Sequence, residues 1–515
     1  LDSWAAPYTG RANPASEIAF MHDPIPAPQK TPKDEIQRRE LHLRRALPLA
    51  QRNLADQRTR AIVLVIAGLD GTGKARLAQH LLTWLDPRTV TTTAIDLADP
   101  YDDDRPAMWR YWTALPPKGE ISLLLGSWYQ RPLLDRISGR IGASKFEANL
   151  QSLVAFETML AHEGVLVSKL WLHLPDKVHK KRLKAADDAD PKTDVHLREW
   201  RGLSKKDRAC RDAAVKIMLQ ATSTPAAPWT TVSALHGRDR DTESGRVLLE
   251  ALSRPASTAP PDDAGGVLPT PSVRAVAPEV ALDLEQRSDP ETYKKHLPRL
   301  QHRLLRLSQG RAFRERGVVA VFEGPDAAGK GGCIRRTVHA LDPRLYRVHA
   351  IAAPSDEDLA HPYLWRFWRR VPPRGTFGVF DRSWYGRVLV ERVEGLCAEA
   401  DWARAYREIA AFESELVESG LIVVKFWLQI SKAEQLRRFE DRQNNEFKRF
   451  KITSEDWRNR AKWDAYQRAA ADMVAQTSTE SAPWTLVAAE DKRHARLQVL
   501  ETLCQRLSAV HAPRP

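Results

Sequence analysis

Gly324, Gly329 and Lys330, with Asp326 between them, follow the order G-x-x-x-x-G-K that folds backbone N–H groups around a phosphate. The glycines let the chain turn its amides inward, the helix that follows adds the positive end of its dipole, and the lysine adds a full charge. The apolar run Val318-Val319-Ala320-Val321-Phe322 stands just before the loop, and a helix-compatible stretch follows it. P-loops that hydrolyse nucleotides place Ser or Thr after the lysine to ligate Mg2+. Here that residue is Gly331. A metal must then be held otherwise, and Asp326 inside the loop is the nearest candidate, with Asp381 the second. Asp381 ends a predicted strand, Gly378-Val379-Phe380, at the strand end where parallel sheets gather their site residues. Two carboxylates facing phosphates suit Mg2+, although an aspartate there could also serve only as a strand-end cap.

The same text occurs earlier in the chain. Gly68-Leu69-Asp70-Gly71-Thr72-Gly73-Lys74 matches the loop, Leu85-Asp86-Pro87-Arg88 matches Leu341-Asp342-Pro343-Arg344, and Ser127-Trp128-Tyr129 matches Ser383-Trp384-Tyr385. Phe156-Glu157 returns as Phe412-Glu413, and Lys169 with Trp171-Leu172 returns as Lys425 with Trp427-Leu428. The offset is constant across this span, so a whole domain is duplicated rather than a small repeat.

The continuous apolar run at 61–67 reads as a strand buried on both faces, as does its counterpart at 318–322. Further strands are predicted at 121–125, 378–381, 165–174 and 421–430, with helices between them. The fold class is therefore α/β, with two mostly parallel sheets sandwiched by helices. An amphipathic helix is expected at 33–58. The Pro-rich stretch from Arg254 onward reads as a linker. The expected division is a first domain at 1–253, a linker at 254–290 and a second domain at 291–515. Trp365, Trp368 and Trp384 recur in the first copy as Trp109, Trp112 and Trp128, which favours packing over base stacking.

No run approaches the length of a membrane span, and four cysteines are scattered without metal-ligand spacing. The N-terminal stretch has no basic region leading into an apolar one, so a cytoplasmic setting with free thiols is expected. A net charge of +13 calls for a polyanionic partner. No helix-turn-helix, zinc-finger or RNA-binding aromatic signature accompanies it, so neither nucleic acid nor membrane is expected as that partner. A basic run at 436–451 includes Arg437, Arg438, Arg442, Lys448, Arg449 and Lys451. It follows the fourth strand, where kinase lids insert, and reads either as a solvated helix face or as a lid gripping a polyanion. Arg335 and Arg336 on the loop helix could extend such a track.

Gly324 to Gly332, Asp381-Arg382-Ser383-Trp384-Tyr385-Gly386-Arg387 and Glu391-Arg392-Val393 together resemble the polyphosphate kinase 2 family. So do Asp456-Trp457, Trp463-Asp464, Thr477-Ser478-Thr479 and Ala482-Pro483-Trp484. The resemblance is strong over about 290–510 and weaker over about 40–250, and the two-domain form is similar to the fused subgroup that moves a phosphoryl group from polyphosphate to AMP. It implies two tandem P-loop kinase cores, each with a helical lid. Asp326 and Lys330 match the acid and lysine of the family's first motif, and Asp381 and Arg382 match the acid and base of its second. Arg387 and Glu391 fall where the family has further site residues.

On that reading, Lys330, Gly324, Gly329 and Gly331 hold the phosphates, while Asp326 and Asp381 hold Mg2+, with Mn2+ as a substitute. Arg382 and Arg387 stabilise the transferring group, and Arg335, Arg336, Arg438, Arg442 and Lys451 bind the polyphosphate. Glu391 either orients the acceptor phosphate or pairs with Arg392. The expected partners are inorganic polyphosphate and AMP or ADP, and the expected assembly is a homo-oligomer, a dimer. An ADP or GDP acceptor, or an ATP-dependent nucleotide kinase of the thymidylate-kinase type, stays open.

The first copy looks disarmed. Leu125-Gly126 replaces Asp381-Arg382, Gln130 replaces Gly386, and the acidic stretch 185–191 stands where the second copy is basic. Asp70, Lys74 and Arg131 remain.

Overall fold

The computed structural model describes residues 30–95, 104–189, 205–254, 276–447, 450 and 452–511. The chain divides into two compact units, each holding most of one copy of the repeat, with 99–113 of the first copy counted in the second unit and 359–362 of the second copy in the first. In the first unit the strands are β1 (Ala61–Gly68), β2 (Val90–Ala94), β3 (Ile121–Leu125), β4 (Val165–His173) and β5 (Trp229–Ser233). Its main helices are α1 (Lys33–Gln57), α2 (Lys74–Leu82), α3 (Ala143–His162), α4 (Asp176–Ala189), α5 (Lys205–Thr222) and α6 (Gly237–Ser253). In the second unit the strands are β6 (Gly317–Glu323), β7 (Tyr346–Ala350), β8 (Phe377–Asp381), β9 (Leu421–Gln429) and β10 (Trp484–Ala488). Its main helices are α7 (Pro290–Gln309), α8 (Lys330–Val338), α9 (Glu399–Glu418), α10 (Lys432–Gln443), α11 (Ser454–Ala461), α12 (Trp463–Thr477) and α13 (Lys492–His511).

Both sheets are parallel and have the same spatial order, β2-β3-β1-β4-β5 in one unit and β7-β8-β6-β9-β10 in the other. Strands β1 and β6 lie at the centre, and every residue of each is buried. That explains why both read as unbroken apolar runs, since helices cover the two faces. The loop follows the central strand in each unit and opens the next helix, so the glycine-rich turn stands at the carboxyl end of the sheet. This is where doubly wound folds place their ligands. Gly324 is fixed by contact as well as by angle: its φ is +137°, and a Cβ there would lie 2.3 Å from the Leu428 carbonyl oxygen.

One buried polar network is built twice. In the second unit Glu413 Oε1 accepts from Tyr385 OH at 2.6 Å and from Trp384 Nε1 at 3.1 Å. Lys425 Nζ donates to Glu413 Oε2 at 2.7 Å, to Tyr385 OH at 3.0 Å and to the Thr477 carbonyl at 2.7 Å. Glu157, Tyr129, Trp128, Lys169 and Thr222 repeat each bond in the first unit. Each ammonium thus has three acceptors, which makes burial of a charged pair tolerable. The network ties the segment after β3 or β8 to the long helix and the fourth strand of its unit. Because both copies keep it, its role is architectural. Trp365, Trp368 and Trp384 are buried, in line with a packing role.

Candidate active site around the second phosphate loop

The loop from Gly324 to Lys330 ends in Gly329, whose φ of +113° turns the chain into α8. Lys330 Nζ bends back to the Gly324 carbonyl at 2.6 Å and the Pro325 carbonyl at 3.3 Å, which places its charge over the loop. A Cβ at Gly331 would meet nothing within 4 Å, so a hydroxyl side chain is missing there for no reason of space.

Asp326 is the hub. Its Oδ1 accepts from Arg382 Nη2 at 2.9 Å and its Oδ2 from Asn459 Nδ2 at 2.8 Å. Burial alone would raise the Asp326 carboxyl. The charges of Lys330 and Arg382 and the bonds from Asn459 and Arg382 outweigh it and hold the group below its ordinary value. Asp381 closes β8 in register with Phe322 of β6, one residue before Glu323. Sequence reasoning passed over Glu323, which ends the central strand with its side chain buried and accepts from Ser383 Oγ at 2.8 Å. Burial pushes the Glu323 carboxyl up to about 7 against the pull of Lys330, Ser383 and Arg382, and Asp381 adds to the rise.

Arg382 is held at a cost. Its φ is +63°, a left-handed conformation unusual for a side chain of this size. The first copy has Gly126 at this position, with φ +85°, so the turn itself favours glycine. An arginine kept in a backbone that favours glycine points to a use for its side chain. Arg387 stands over the Tyr363 ring at 4.4 Å, and its Nε lies 3.1 Å from Glu391 Oε2. Glu391 therefore pairs with Arg387 and not with Arg392, which bonds Asp472 and Tyr406.

The arginines expected to bind substrate separate into two kinds. Arg335 is exposed and Arg336 and Arg442 partly so, each available to an anion. Arg438 is 3% exposed, and all five of its N–H groups are engaged. It donates to the carbonyls of Ala327 and Ala328 in the loop, both at 2.9 Å, to Ala489 at 2.7 Å and Glu490 at 2.8 Å, and to Glu434. Arg438 is a brace under the loop and has no donor left for a phosphate, which corrects its assignment to substrate. Arg182 does the same in the first unit, reaching the carbonyls of Gly71, Ala234 and Leu235. Lys451, Lys448 and Arg449 lie outside the described residues, as do the side chains of 185–191.

Asn459 on α11 is the other residue sequence reasoning missed. Its Oδ1 lies 3.3 Å from Tyr466 OH, which also reaches Glu394 at 3.4 Å. Glu394 in turn receives Lys462 at 2.9 Å and Arg458 at 3.3 Å. The chain of bonds ties the helices after α10 to the loop acid.

The first loop keeps its shape, with Gly68 at φ +140° and Gly73 at φ +86°. It lacks the acids and the arginine: Ala67, Leu125 and Gly126 occupy the positions of Glu323, Asp381 and Arg382. Asp70 is 3% exposed and stands 3.7 Å from Lys74 Nζ, its neighbour in the same loop.

Among the described residues no three His, Cys, Asp or Glu side chains converge on one metal position. Mg2+ commonly takes one or two protein carboxylates and completes its shell with phosphate oxygens and water. Asp326, kept ionised beside the loop, and Asp381 at the adjoining strand end fit that role, and their hard oxygens suit that ion.

The family profile described as polyphosphate kinase 2 (PPK2) matches residues 30–260 and 287–515. A polyphosphate:AMP phosphotransferase of Pseudomonas aeruginosa is 44% identical over 485 residues, covering 93% of this chain and 97% of its own. One from Acinetobacter johnsonii is 37% identical over 468 residues, 89% of this chain and 93% of its own. An ADP-polyphosphate phosphotransferase of Pseudomonas aeruginosa is 39% identical over 223 residues, 43% of this chain and 73% of its own. A crystal structure of a polyphosphate kinase 2 from Pseudomonas aeruginosa PA01 superposes with a TM-score of 0.81 at 43% identity, covering 93% of this chain and 97% of that one. With both units matched and the loop, the acids and the parallel sheets in the expected order, this chain belongs to the polyphosphate kinase 2 family.

Proposed function

We propose that the second unit transfers the terminal phosphoryl group of inorganic polyphosphate to AMP, giving ADP and a polyphosphate one unit shorter. An oxygen of the AMP phosphate attacks the terminal phosphorus, and the bond from that phosphorus to its bridging oxygen breaks. The electron pair leaves with the bridging oxygen. Such a transfer asks for alignment and charge neutralisation more than for covalent help.

Lys330 and the loop amides hold the donor's terminal phosphates. Arg382 moves its hydrogen bond from Asp326 to the transferring group, and Arg387, oriented by Glu391 and Tyr363, neutralises the acceptor side. Asp326 and Asp381 would hold Mg2+, with Mn2+ as a substitute, and the ion supplies charge neutralisation for the phosphate oxygens. Asn459 fixes the rotamer of Asp326.

The observation that carries this reading is the uneven fate of the two copies. Architecture is kept in both, from the Lys–Glu network to the arginine brace, while Glu323, Asp381 and Arg382 stand only in the second. AMP is favoured as acceptor because the relatives that share both units are named for it, whereas the ADP-named relative matches 43% of this chain. A cytoplasmic homodimer is the expected setting. All four cysteines are unbridged, and no described helix is long and apolar enough to cross a membrane.

The test uses purified full-length protein with Mg2+, with AMP, ADP or GDP as acceptor and polyphosphate or ATP as donor, the products being resolved by chromatography. ADP formed from AMP only when polyphosphate is present supports the reading. Triphosphate formed faster than ADP, or turnover with ATP alone as donor, refutes it.

A further inference from the structure

Helix α7 carries a cationic stripe that the reaction does not use. Lys295, Arg299, His302 and Arg306 recur at helical spacing, with His296 and Arg303 beside them, and all six are exposed. From Lys295 to Arg306 the helix rises about 16 Å. The opposite face is apolar: Leu304 is buried in the core, with Leu297, Leu300 and Leu307 packed against it. Among the described residues the only ion pair on α7 joins Lys294 to Glu291; the stripe itself makes none, and the one acid lining its grooves is Glu501, beside Arg299 and Arg303. Arg303 makes one neutral bond, to Ser508 Oγ.

The duplicated helix is the internal control. On α1, Arg38 and Arg39 pair with Glu35, Arg52 pairs with Asp56, and Glu40 pairs with Arg238. Among the described residues, α1 thus pairs three of its five arginines and leaves Arg44 and Arg45 open, whereas no cation of the α7 stripe has an ion pair. Two open grooves flank the stripe. One, of about 830 Å³, is lined by Pro298, Arg299, His302, Arg303 and Arg306 among others, and a second, of about 610 Å³, by His296, Arg299, Arg303 and His494. The stripe also adjoins the phosphate loop's own helix. Gln301 Nε2 of α7 donates to the Arg336 carbonyl of α8 at 2.9 Å, and α8 begins at Lys330. Arg496 stands beside the first turn of α8, 3.5 Å from where a Cβ of Gly332 would be. Cations therefore continue from the loop through Arg496, Arg335 and Arg336 to α7.

The geometry points to α7 as a second anchoring surface for the distal part of a long inorganic polyphosphate whose end lies in the loop. This rests on the polyphosphate reading above and adds a chain-length preference to it. A short donor fills the loop without reaching α7, whereas a long one gains the stripe's charges and releases counterions there.

The experiment compares full-length protein with its Arg299→Gln/Arg303→Gln/Arg306→Gln variant, using tripolyphosphate and long-chain polyphosphate as donors at low and moderate salt. The stripe predicts that KM for the long donor rises about fivefold or more and loses much of its salt dependence. KM for tripolyphosphate and kcat stay within about twofold, since exposed charges far from the chemistry act on binding alone. The matching α1 variant, Arg38→Gln/Arg44→Gln/Arg45→Gln, changes neither donor. Equal losses on both donors, no loss on either, or a variant with altered oligomeric state on a sizing column would overturn the inference. Should the protein turn over neither donor, the polyphosphate reading fails separately, and direct binding of long-chain polyphosphate decides the surface. Equal affinity of wild type and variant, or an equal drop for duplex DNA, refutes it.

Discussion

Arg382 shows what a single residue can reveal when a fold is duplicated. Its left-handed backbone is strained by about 1 kcal/mol relative to glycine. Its ion pair with Asp326, with the arginine side chain 45% exposed, returns at most a similar amount. Arg382→Gly should therefore leave unfolding stability within about 1 kcal/mol of wild type while lowering kcat by about 10³ or more. Urea unfolding beside the phosphotransfer assay checks both. Glu323 makes the complementary point. Its carboxyl rises from an ordinary 4.5 to about 7, chiefly through burial, so the folded state favours the protonated form. The stability this group contributes is full below its unfolded value and is lost as pH rises through about 7. Without donor or divalent cation, Glu323→Gln should be more stable than wild type by up to about 3 kcal/mol at about pH 8.5, and equal to it at about pH 4 and below. A melting-temperature difference that stayed flat across that range would contradict the assignment. Glu323 could have been read from the chain, since an acid ending an apolar strand faces Ala67 in the other copy, the same loss as Asp381 against Leu125. Asn459 could not, because its partner Asp326 lies far away in sequence and no local pattern announces the pairing.

At the scale of elements, α10 shows why a charge run misleads. Six of its residues between 434 and 442 are Arg or acidic, and a sequence cannot say which of them point inward. Arg437 faces out and pairs with Glu434 and Asp441, whereas Arg438, one residue on, is turned by the helix under the loop. Arg438→Met would leave three buried carbonyls and one part-buried carbonyl without this donor, and each buried loss costs about 1–3 kcal/mol. The variant should lose at least about 3 kcal/mol in urea unfolding, while Arg442→Ala stays within about 0.5 kcal/mol. If Arg438→Met kept its stability and lost only polyphosphate affinity, the residue would be a ligand after all. The six strands read from sequence are those with long or doubly buried runs, and the amphipathic helix at 33–58 corresponds to α1. The edge strands β2, β5, β7 and β10 were not legible. Each has five residues, and Val90–Ala94 mixes threonines with partly exposed positions, so neither length nor alternation distinguishes it from a loop.

For the whole molecule, the repeat did most of the work. Some residues kept in both copies are scaffold, such as Lys169 and Lys425 or Arg182 and Arg438, while Glu323, Asp381 and Arg382, kept only in the second, stand around its loop. The first loop retains its glycines and lysine, but Lys74 faces Asp70 across 3.7 Å with neither the strand-end acids nor the arginine that equip Lys330. On the proposed function, two anion nests of the same fold differ in that only the second does chemistry. The most direct measurement is the rate of ADP formation from AMP and polyphosphate by full-length Lys330→Ala and Lys74→Ala. Lys330→Ala should lose about 10³-fold or more, whereas Lys74→Ala should stay within about twofold of wild type. A comparable loss in Lys74→Ala, or substantial turnover by Lys330→Ala, would contradict it.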